Sequence, residues 1–273
     1  MHKMLLWRTN MAIQIAVANQ KGGIGKSTTA LALTAGLKKR GYRVLMVDTD
    51  PQRNTTNVYK AKTENTPTLY DIIFSGYEVS DCIQKTAYGD IIAADENLQN
   101  ADIQIKPSPS MYKHIKNFVK ELQNEYDFIV FDTPPHAGVL LGNVLMSCDY
   151  VIIPVTCDLF GIQGIMDFYK TVKEYQEDNK NLKLLGLLIV KYKSKQNLTK
   201  DVEDNLLPEY AKKMNTRVFK IKIRESVKCQ EAQTLRRSIF DHAPKSTTAE
   251  DYDCFINDIL NTLNSKSDII FKK

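Results

Sequence analysis

Residues 18–28 read A-N-Q-K-G-G-I-G-K-S-T and combine three glycines with two lysines and two hydroxyls. Glycine accepts positive φ, so such a turn can bring its backbone N–H groups close to an anion. A helical pattern begins at Ser27, and the first turn of a helix favours negative charge. We therefore predict a phosphate-binding loop in which Lys26 contacts the phosphates and Ser27 supplies a hydroxyl to Mg²⁺. The predicted nucleotide-binding residues are Lys21, Gly22, Gly23, Ile24, Gly25, Lys26, Ser27 and Thr28.

Two further apolar segments of the chain end in residues with carboxylate side chains. D-T-D-P-Q-R-N occupies residues 48–54, and Y-D-F-I-V-F-D-T-P-P occupies residues 126–135. Carboxylates in alternate positions at the carboxyl end of a strand face the same side, where parallel sheets bind their ligands. An apolar strand that ends in Asp is typical of the Walker B motif, whose carboxylate accepts hydrogen bonds from waters on Mg²⁺. We predict that Ser27 holds Mg²⁺ directly and that Asp50 and Asp132 hold it through water.

The elements that must position these motifs alternate between strands and helices. Apolar runs rich in β-branched residues predict buried strands, and Gly41 stands where the first helix should end. The alternation predicts an α/β fold, a doubly wound and mostly parallel sheet with helices on both faces. The predicted strands are 13–17, 43–48, 88–94, 126–132, 149–156, 182–191 and 218–223, and a capped amphipathic helix is predicted for 246–263.

Length and composition fit one such domain. The chain has 273 residues and a net charge of +5, and no linker or repeat divides it. We therefore expect a single domain over residues 1–273, with 1–11 as a short N-terminal extension and no helix-turn-helix domain before it. Five scattered cysteines without C-x-x-C spacing indicate neither a zinc site nor a disulfide framework, and they suit a reducing cytosol.

The glycine-rich motif departs from the general G-x-x-x-x-G-K-[ST] pattern at its first position, where Gln20 stands. The resulting K-G-G-x-G-K-S-T, with D-T-D-P-Q and F-D-T-P-P, resembles the deviant Walker A motif and its companions in the ParA/MinD family of P-loop ATPases. The resemblance implies that Lys21 reaches across a dimer to the partner subunit's phosphates. It also implies that Asp50 orients the attacking water and that Asp48 supports the loop. The catalytic residues would then be Lys21, Lys26 and Asp50.

Positive charge is concentrated in the last third of the chain. Residues 191–245 contain 14 Lys and Arg against 7 Asp and Glu, whereas the rest of the chain contains 23 against 25. Within this region, K-Y-K-S-K-Q-N-L and R-E-S-V-K-C-Q-E-A resemble two ParA segments whose basic residues bind DNA. Lysine attracts phosphate without reading bases bidentately, which favours sequence-independent binding. The predicted DNA-binding residues are Lys195, Arg224, Lys228, Arg236 and Arg237.

The resemblance is closest to ParA/Soj-type partition ATPases and implies a cycle. ATP and Mg²⁺ would close two subunits into a homodimer with the nucleotide sandwiched between them, and the dimer would bind DNA without sequence preference. A centromere-binding, ParB-like adaptor would stimulate slow hydrolysis. The protein would lie in the cytoplasm, associated with the nucleoid. Residues 265–273 place three apolar residues between lysines, too short a segment to anchor the chain, so we expect no membrane partner.

Three other functions share parts of the pattern. A MinD-like positioning ATPase would use the same nucleotide chemistry but needs a membrane-binding C-terminal helix. An electron-transfer ATPase like the nitrogenase iron protein would need cysteines that hold an iron–sulfur cluster across a dimer, and Cys148 and Cys157 lack the accompanying glycine-rich contexts. A purely regulatory nucleotide binder would not need Asp50.

Overall fold

The computed structural model describes residues 11–106, 108, 110–193 and 201–270, without the side chains of 159, 160, 163 and 266–270. Its seven strands are β1 (Ile13–Val17), β2 (Val44–Asp48), β3 (Ile83–Thr86), β4 (Gly89–Ile92), β5 (Phe128–Asp132), β6 (Tyr150–Val155) and β7 (Lys183–Ile189). They form one sheet in the order β3-β4-β2-β5-β1-β6-β7. All neighbours pair in parallel except β3 and β4 at one edge.

Helices connect the strands, and further helices follow the last strand. They are α1 (Lys26–Lys39), α2 (Asn54–Tyr59), α3 (Val79–Cys82), α4 (Ala101–Gln104), α5 (His114–Leu122), α6 (Val139–Ser147), α7 (Leu159–Asp178), α8 (Leu207–Lys213), α9 (Val227–Thr234), α10 (Ile239–His242) and α11 (Thr247–Ile270). Single π-helical turns occupy Asp71–Ser75 and Val202–Leu206, and a 3₁₀ turn occupies Glu96–Asn100. None of the described helices combines the length and apolar character that a bilayer crossing requires.

Apolar layers cover both faces of the sheet, as the predicted fold class requires. Against one face, α1 and α11 bury Leu33, Leu37 and Phe255 among the strand side chains. Against the other, α5, α6 and α7 bury a second cluster that includes Phe118 and Phe168. The doubly wound, mostly parallel α/β fold is thereby confirmed. The apolar face predicted for the C-terminal helix is buried as well; it comprises Tyr252, Phe255, Ile256, Ile259 and Leu263.

Of the two strands in the β3–β4 hairpin, only β4 was predicted from the sequence. The sequence indicates β4 through its apolar residues, but β3 reads I-Q-K-T and lies half-exposed at the sheet edge. An edge strand with one covered face needs no apolar run, and charged residues there discourage pairing with other chains. Gly89 turns the hairpin with a φ of 134°.

The prediction of a strand at 218–223 was wrong. The segment runs beside β7 and bonds it through Phe219 N to Leu187 O and Ile223 N to Ile189 O, both at 2.8–2.9 Å. Four residue steps on this segment therefore face two on β7, so the ladder cannot be continuous. Only isolated bridges form, at Val218 and Arg224. The alternation of apolar residues is real, because Phe219 and Ile223 are buried, but it does not produce a regular strand.

Candidate nucleotide-binding site

The strand order brings the three predicted motifs to one edge of the sheet. β1 lies between β5 and β6, and β5 lies between β1 and β2. Asp132, the last residue of β5, is in register with Val17 of β1 and with Asp48 of β2. The chain leaves β1 towards β2 on one side while β6 and β7 lie on the other, which makes this edge a topological switch point. The phosphate loop and the two acidic motifs therefore share one crevice.

The phosphate loop needs its glycines for backbone conformation. Gly23 and Gly25 have φ values of 69° and 89°, in the left-handed region that side chains disfavour. Apart from the adjoining residues of the loop, no atom of the described residues lies within 4 Å of a Cβ built on either glycine, so both glycines face open space. Gly25 precedes α1, whose first turn receives no side-chain cap, so its backbone N–H groups remain available to an anion.

Lys26 is held inside the loop that it terminates. Its side chain is buried, and Nζ donates to the carbonyl of Lys21 at 3.1 Å. Burial lowers the pKa of the Lys26 ammonium, and the carboxylates of Asp132 and Asp50 oppose that effect. The lysine therefore lies between the phosphate loop and both acidic motifs, where a triphosphate would bring compensating negative charge.

Asp132 and Asp48 form a fully buried carboxylate pair behind the loop. Asp132 Oδ2 accepts a hydrogen bond from the Thr55 hydroxyl at 2.6 Å, and Asp48 Oδ2 accepts bonds from the N–H and hydroxyl of Thr56, each at 2.8 Å. Burial raises the pKa of both carboxyls, and their proximity adds to the rise for Asp48. Asp48 supports the turn, because its Oδ1 also accepts from the Asp50 N–H at 3.1 Å.

The donor set suits a magnesium ion held mainly through water and phosphate. Asp132 Oδ1 is buried and accepts no hydrogen bond from the described residues, so it is available to a metal-bound water. The Ser27 hydroxyl is its neighbour at the start of α1. Mg²⁺ commonly takes one or two protein ligands and completes its shell with water and substrate phosphate. Among the described residues, no group of three or more His, Cys, Asp or Glu is arranged to hold a metal.

Asp50 lines the cavity beside the phosphate loop. It is 5% exposed, and its Oδ1 accepts a hydrogen bond from the Gln52 N–H at 3.0 Å, which fixes the carboxylate orientation. Burial raises the pKa of Asp50, and the hydrogen bond from the Gln52 N–H and the charge of Lys26 oppose the rise. The carboxylate is thus oriented and close to Lys26, as a residue that positions a water must be.

A cavity of about 580 Å³ opens beside the loop. Its lining includes Asp50 and all predicted loop residues except Lys21, and continues through Lys191 to the segment 223–236. Gln233 of α9 donates a short hydrogen bond to the Thr28 hydroxyl and so joins the two walls. Sequence reasoning missed Lys191 and Gln233, because a lone lysine after a strand and a lone glutamine on a helix carry no motif.

Lys21 turns away from the loop interior in this conformation. Its Nζ lies 2.9 Å from Asp158 Oδ1 and 3.4 Å from the Thr156 hydroxyl, both in the turn between β6 and α7. Asp158 also caps α7 by accepting from the Gly161 N–H at 2.7 Å. The pKa of Asp158 is lowered because these donors outweigh its partial burial. Lys21 is about one-third exposed, so it lies on the surface beside the crevice.

The predicted DNA-binding residues divide into paired and unpaired cations. Arg224 Nη2 lies 2.6 Å from Asp251 of α11, and Lys228 Nζ lies 2.9 Å from Glu231. Arg236 and Arg237 follow α9, are exposed, and pair with no carboxylate in the part of the chain that the structure describes. Lys195 lies outside the described residues.

A doubly wound sheet with a glycine-rich phosphate loop after its central strand defines a P-loop nucleotide-binding protein. A family model described as an AAA domain matches residues 12–184. The sporulation initiation inhibitor protein Soj of Bacillus subtilis is 35% identical over 244 residues, 87% of this chain and 94% of that protein. The chromosome-partitioning ATPase Soj of Thermus thermophilus is 31% identical over 241 residues, 88% of this chain and 92% of that protein.

The solved structures agree with this grouping. A cobyrinic acid a,c-diamide synthase from Mycobacterium smegmatis, with bound ADP and magnesium, superposes with a TM-score of 0.80 at 28% identity and covers 94% of this chain and 97% of its own. The chain belongs to the ParA/MinD family of P-loop ATPases, and ParA and Soj proteins are among its relatives.

Proposed function

We propose that the protein is a Mg-ATP-dependent, dimerising ATPase that binds DNA non-specifically and drives plasmid or chromosome partition with a centromere-binding partner. One observation carries the nucleotide chemistry: Lys26 at the start of α1, Asp50 just after β2 and Asp132 at the end of β5 lie close together at the phosphate loop, beside an open cavity. The partition role is supported by the relatives, since proteins named Soj and ParA match over most of the chain. Its cytoplasmic, nucleoid-associated location belongs to the same proposal.

The triphosphate occupies the loop in this proposal, and the nucleoside extends towards the segment 223–236. Backbone N–H groups of residues 22–28 and the Lys26 ammonium provide the positive potential. Mg²⁺, held by Ser27 and through water by Asp50 and Asp132, would neutralise charge that develops on the phosphates. The buried Oδ1 of Asp132, which accepts no hydrogen bond from the described part of the chain, supports this assignment.

Hydrolysis requires an attacking water in line with the bond that breaks. Asp50 is the carboxylate that we assign to orient that water. Its orientation by the Gln52 N–H and its position in the lining of the cavity support the assignment. Lys26 binds the leaving phosphates. Asp50 and Lys26 therefore act on opposite sides of the same bond in the bound substrate.

Lys21 completes the site across a dimer interface in this proposal. Its side chain is on the surface beside the crevice and does not line the cavity of its own subunit. A cation so placed can reach phosphates presented by a second subunit, where it stabilises both the dimer and the developing charge. Lys21 would first have to leave Asp158, 2.9 Å away.

DNA binding would use the exposed cations around α9. Arg236 and Arg237 pair with no carboxylate of the described residues and are the strongest candidates, whereas Arg224 and Lys228 are neutralised by neighbouring carboxylates. The helix lies against the phosphate loop through Gln233, so nucleotide can influence its position. Phosphate contacts without base reading would give sequence-independent binding.

The decisive test measures binding of purified protein to two unrelated DNA duplexes with ATP, ADP or no nucleotide, over a range of salt concentrations. The proposal predicts binding only with ATP, equal affinity for both sequences, and a linear decrease of log affinity with log salt. DNA binding of equal strength with ATP, with ADP and without nucleotide, or no DNA binding at all, would refute the partition role. Protein that sediments with anionic vesicles instead of DNA would identify a MinD-like positioning ATPase.

A further inference from the structure

Lys191 adopts a conformation that its residue type disfavours. It follows β7 at the carboxyl edge of the sheet, two residues beyond Ile189, and its φ is 53°. Only glycine occupies this left-handed region without steric cost, and among other residues Asn and Asp tolerate it best. The backbone conformation of Lys191 is therefore unfavourable for its residue type, and such outliers are frequent at functional sites.

The side chain of Lys191 returns to the phosphate loop. Its Nζ donates to the carbonyl of Gly23 at 2.7 Å, although the two residues are 168 positions apart in the chain. This is a charge-assisted bond, the stronger class of hydrogen bond. Lys191 also lines the same cavity as Gly23, so the contact lies at the edge of the proposed nucleotide site.

The glycines of the phosphate loop contribute no side chain to hold its backbone. Among the described residues, Cβ atoms built on Gly22, Gly23 and Gly25 would meet no neighbour within 4 Å, so side-chain packing holds the loop at the buried Ile24 and not at the glycines. Two lysines bind its carbonyls: Lys26 holds the carbonyl of Lys21 at 3.1 Å, and Lys191 holds that of Gly23. If the Lys26 ammonium moves to the phosphates when nucleotide binds, the hydrogen bond from Lys191 to the Gly23 carbonyl is the one of the two that remains. A fixed carbonyl also fixes the opposite N–H of its planar peptide, here that of Ile24.

The backbone next to Lys191 is bound to a different wall of the cavity. Tyr192 N donates to Ile223 O at 3.0 Å, and Glu225 N donates to Tyr192 O at 3.1 Å. Residues 223–226 line the cavity and lead directly into α9. Lys191 thus connects the loop that would take the phosphates with the segment that would take the nucleoside.

We propose that Lys191 is a nucleotide-positioning residue that clamps the phosphate loop to the 223–226 wall and preorganises both for ligand. The inference rests on the proposed nucleotide site and adds a residue to it. Because the clamp acts on the loop backbone and not on one phosphate, its loss weakens ADP and ATP alike. Preorganisation lost in this way raises KM and leaves kcat nearly unchanged, since ground state and transition state lose the same interaction.

Four variants test the clamp by titration with ADP and with ATP. Lys191→Met removes the charge and the bond and is expected to weaken both nucleotides by roughly five- to twentyfold. Lys191→Arg keeps a donor and should recover most of the affinity. Lys191→Gly suits the positive φ, so it should melt within about 3 °C of wild type yet bind nucleotide as weakly as Lys191→Met. Lys220→Met, which alters an exposed lysine of the neighbouring segment, should bind like wild type.

Amide hydrogen exchange on the nucleotide-free protein separates the clamp from simple charge attraction. Lys191→Met should speed exchange in a peptide that covers residues 18–28, and Lys220→Met should not. Unchanged affinity and unchanged exchange in Lys191→Met would overturn the clamp while wild-type nucleotide binding stands. Wild-type protein that binds neither nucleotide would refute the proposed function itself. Weaker binding with unchanged loop exchange would reduce Lys191 to a long-range charge and also overturn the clamp.

Discussion

The ammonium of Lys21 lies 2.9 Å from the carboxylate of Asp158 in the same chain. The lysine that distinguishes the deviant motif is therefore bound to the turn between β6 and α7 and not to its own phosphate loop interior. Both side chains are partly exposed, so the pair is weak, worth about 0–1 kcal/mol. A weak pair keeps the lysine near the surface and yields to a stronger anion, such as a triphosphate in a second subunit.

Replacing Asp158 should therefore favour the dimer. Asp158→Asn removes the charge but keeps a side-chain oxygen for the Gly161 N–H, so α7 retains its cap. We expect ATP-dependent self-association to tighten by roughly two- to fivefold, because Lys21 no longer has to leave an ion pair. Sedimentation velocity over a range of protein concentrations measures this. Asp167→Asn, which disrupts an exposed ion pair elsewhere on α7, is the matched control. Weaker association in Asp158→Asn would show that Asp158 contributes to the dimer directly.

Lys26→Ala should abolish ATP binding. The ammonium is buried at the start of α1 between Asp50 and Asp132, so its removal leaves two carboxylates facing the phosphates. Equilibrium dialysis or calorimetry should show at least a hundredfold loss of affinity, about 2.7 kcal/mol. Lys39→Ala, at the other end of the same helix, serves as the control for altered helix charge. Near-normal affinity in Lys26→Ala would mean that nucleotide binds elsewhere.

Unpaired cations should dominate DNA binding. Arg236→Ala combined with Arg237→Ala is expected to weaken the ATP-bound protein's affinity for any duplex at least tenfold and to reduce the salt slope by about two. Lys228→Ala should have a smaller effect, because Glu231 already neutralises that lysine at 2.9 Å. Filter binding at several salt concentrations compares the variants. A larger loss from Lys228→Ala would show that the ion pair opens on DNA and that the paired cation is the one that binds.

Thiol labelling should report the occupied cavity. Cys229 lines the cavity and burial raises the pKa of its thiol to about 11, so its alkylation near pH 8 should be slow and should slow further with ADP. Cys254 is exposed on α11 and serves as the internal control, with a rate that nucleotide leaves unchanged. Mass spectrometry of alkylated peptides measures both rates. If ADP leaves the Cys229 rate unchanged, the nucleoside does not occupy this wall.

The same experiment addresses the electron-transfer alternative. Cys148 is fully buried between α6 and β6 in the chain, and burial raises the pKa of its thiol well above the ordinary value. A thiol so placed cannot ligate a cluster shared with a second subunit. We expect Cys148 to stay unmodified in the folded protein. Rapid modification would mean that this part of the core opens.

Much of this arrangement follows from the sequence. The glycines of residues 22–25 and the carboxylates that end β2 and β5 are local patterns, and a parallel sheet must bring strand ends to one edge. The fold class was predicted for the same reason, since the apolar runs that form the buried strands are continuous. Predicted and observed bounds of the central strands differ by few residues.

Other features depend on contacts that no local pattern records. The pair of Lys21 with Asp158 joins residues 137 apart, and Lys191 meets Gly23 across 168 positions. Both contacts exist because β1, β6 and β7 end at the same edge of the sheet, a consequence of topology and not of spacing. In segment 218–223, by contrast, a local pattern predicted a strand that the structure lacks. The alternation of apolar residues reflects burial, but four residues of the segment span the same length as two residues of β7, so no regular ladder can form.

Nucleotide-driven pairing of subunits is the central claim, and Asp50→Ala tests it most directly. The variant removes the carboxylate assigned to the attacking water while leaving Lys26 and the loop in place, so it should bind ATP and fail to hydrolyse it. With saturating ATP and Mg²⁺, analytical ultracentrifugation should show a dimer of about twice 31.1 kDa, and with ADP it should show single subunits. Single subunits under both conditions would contradict the account.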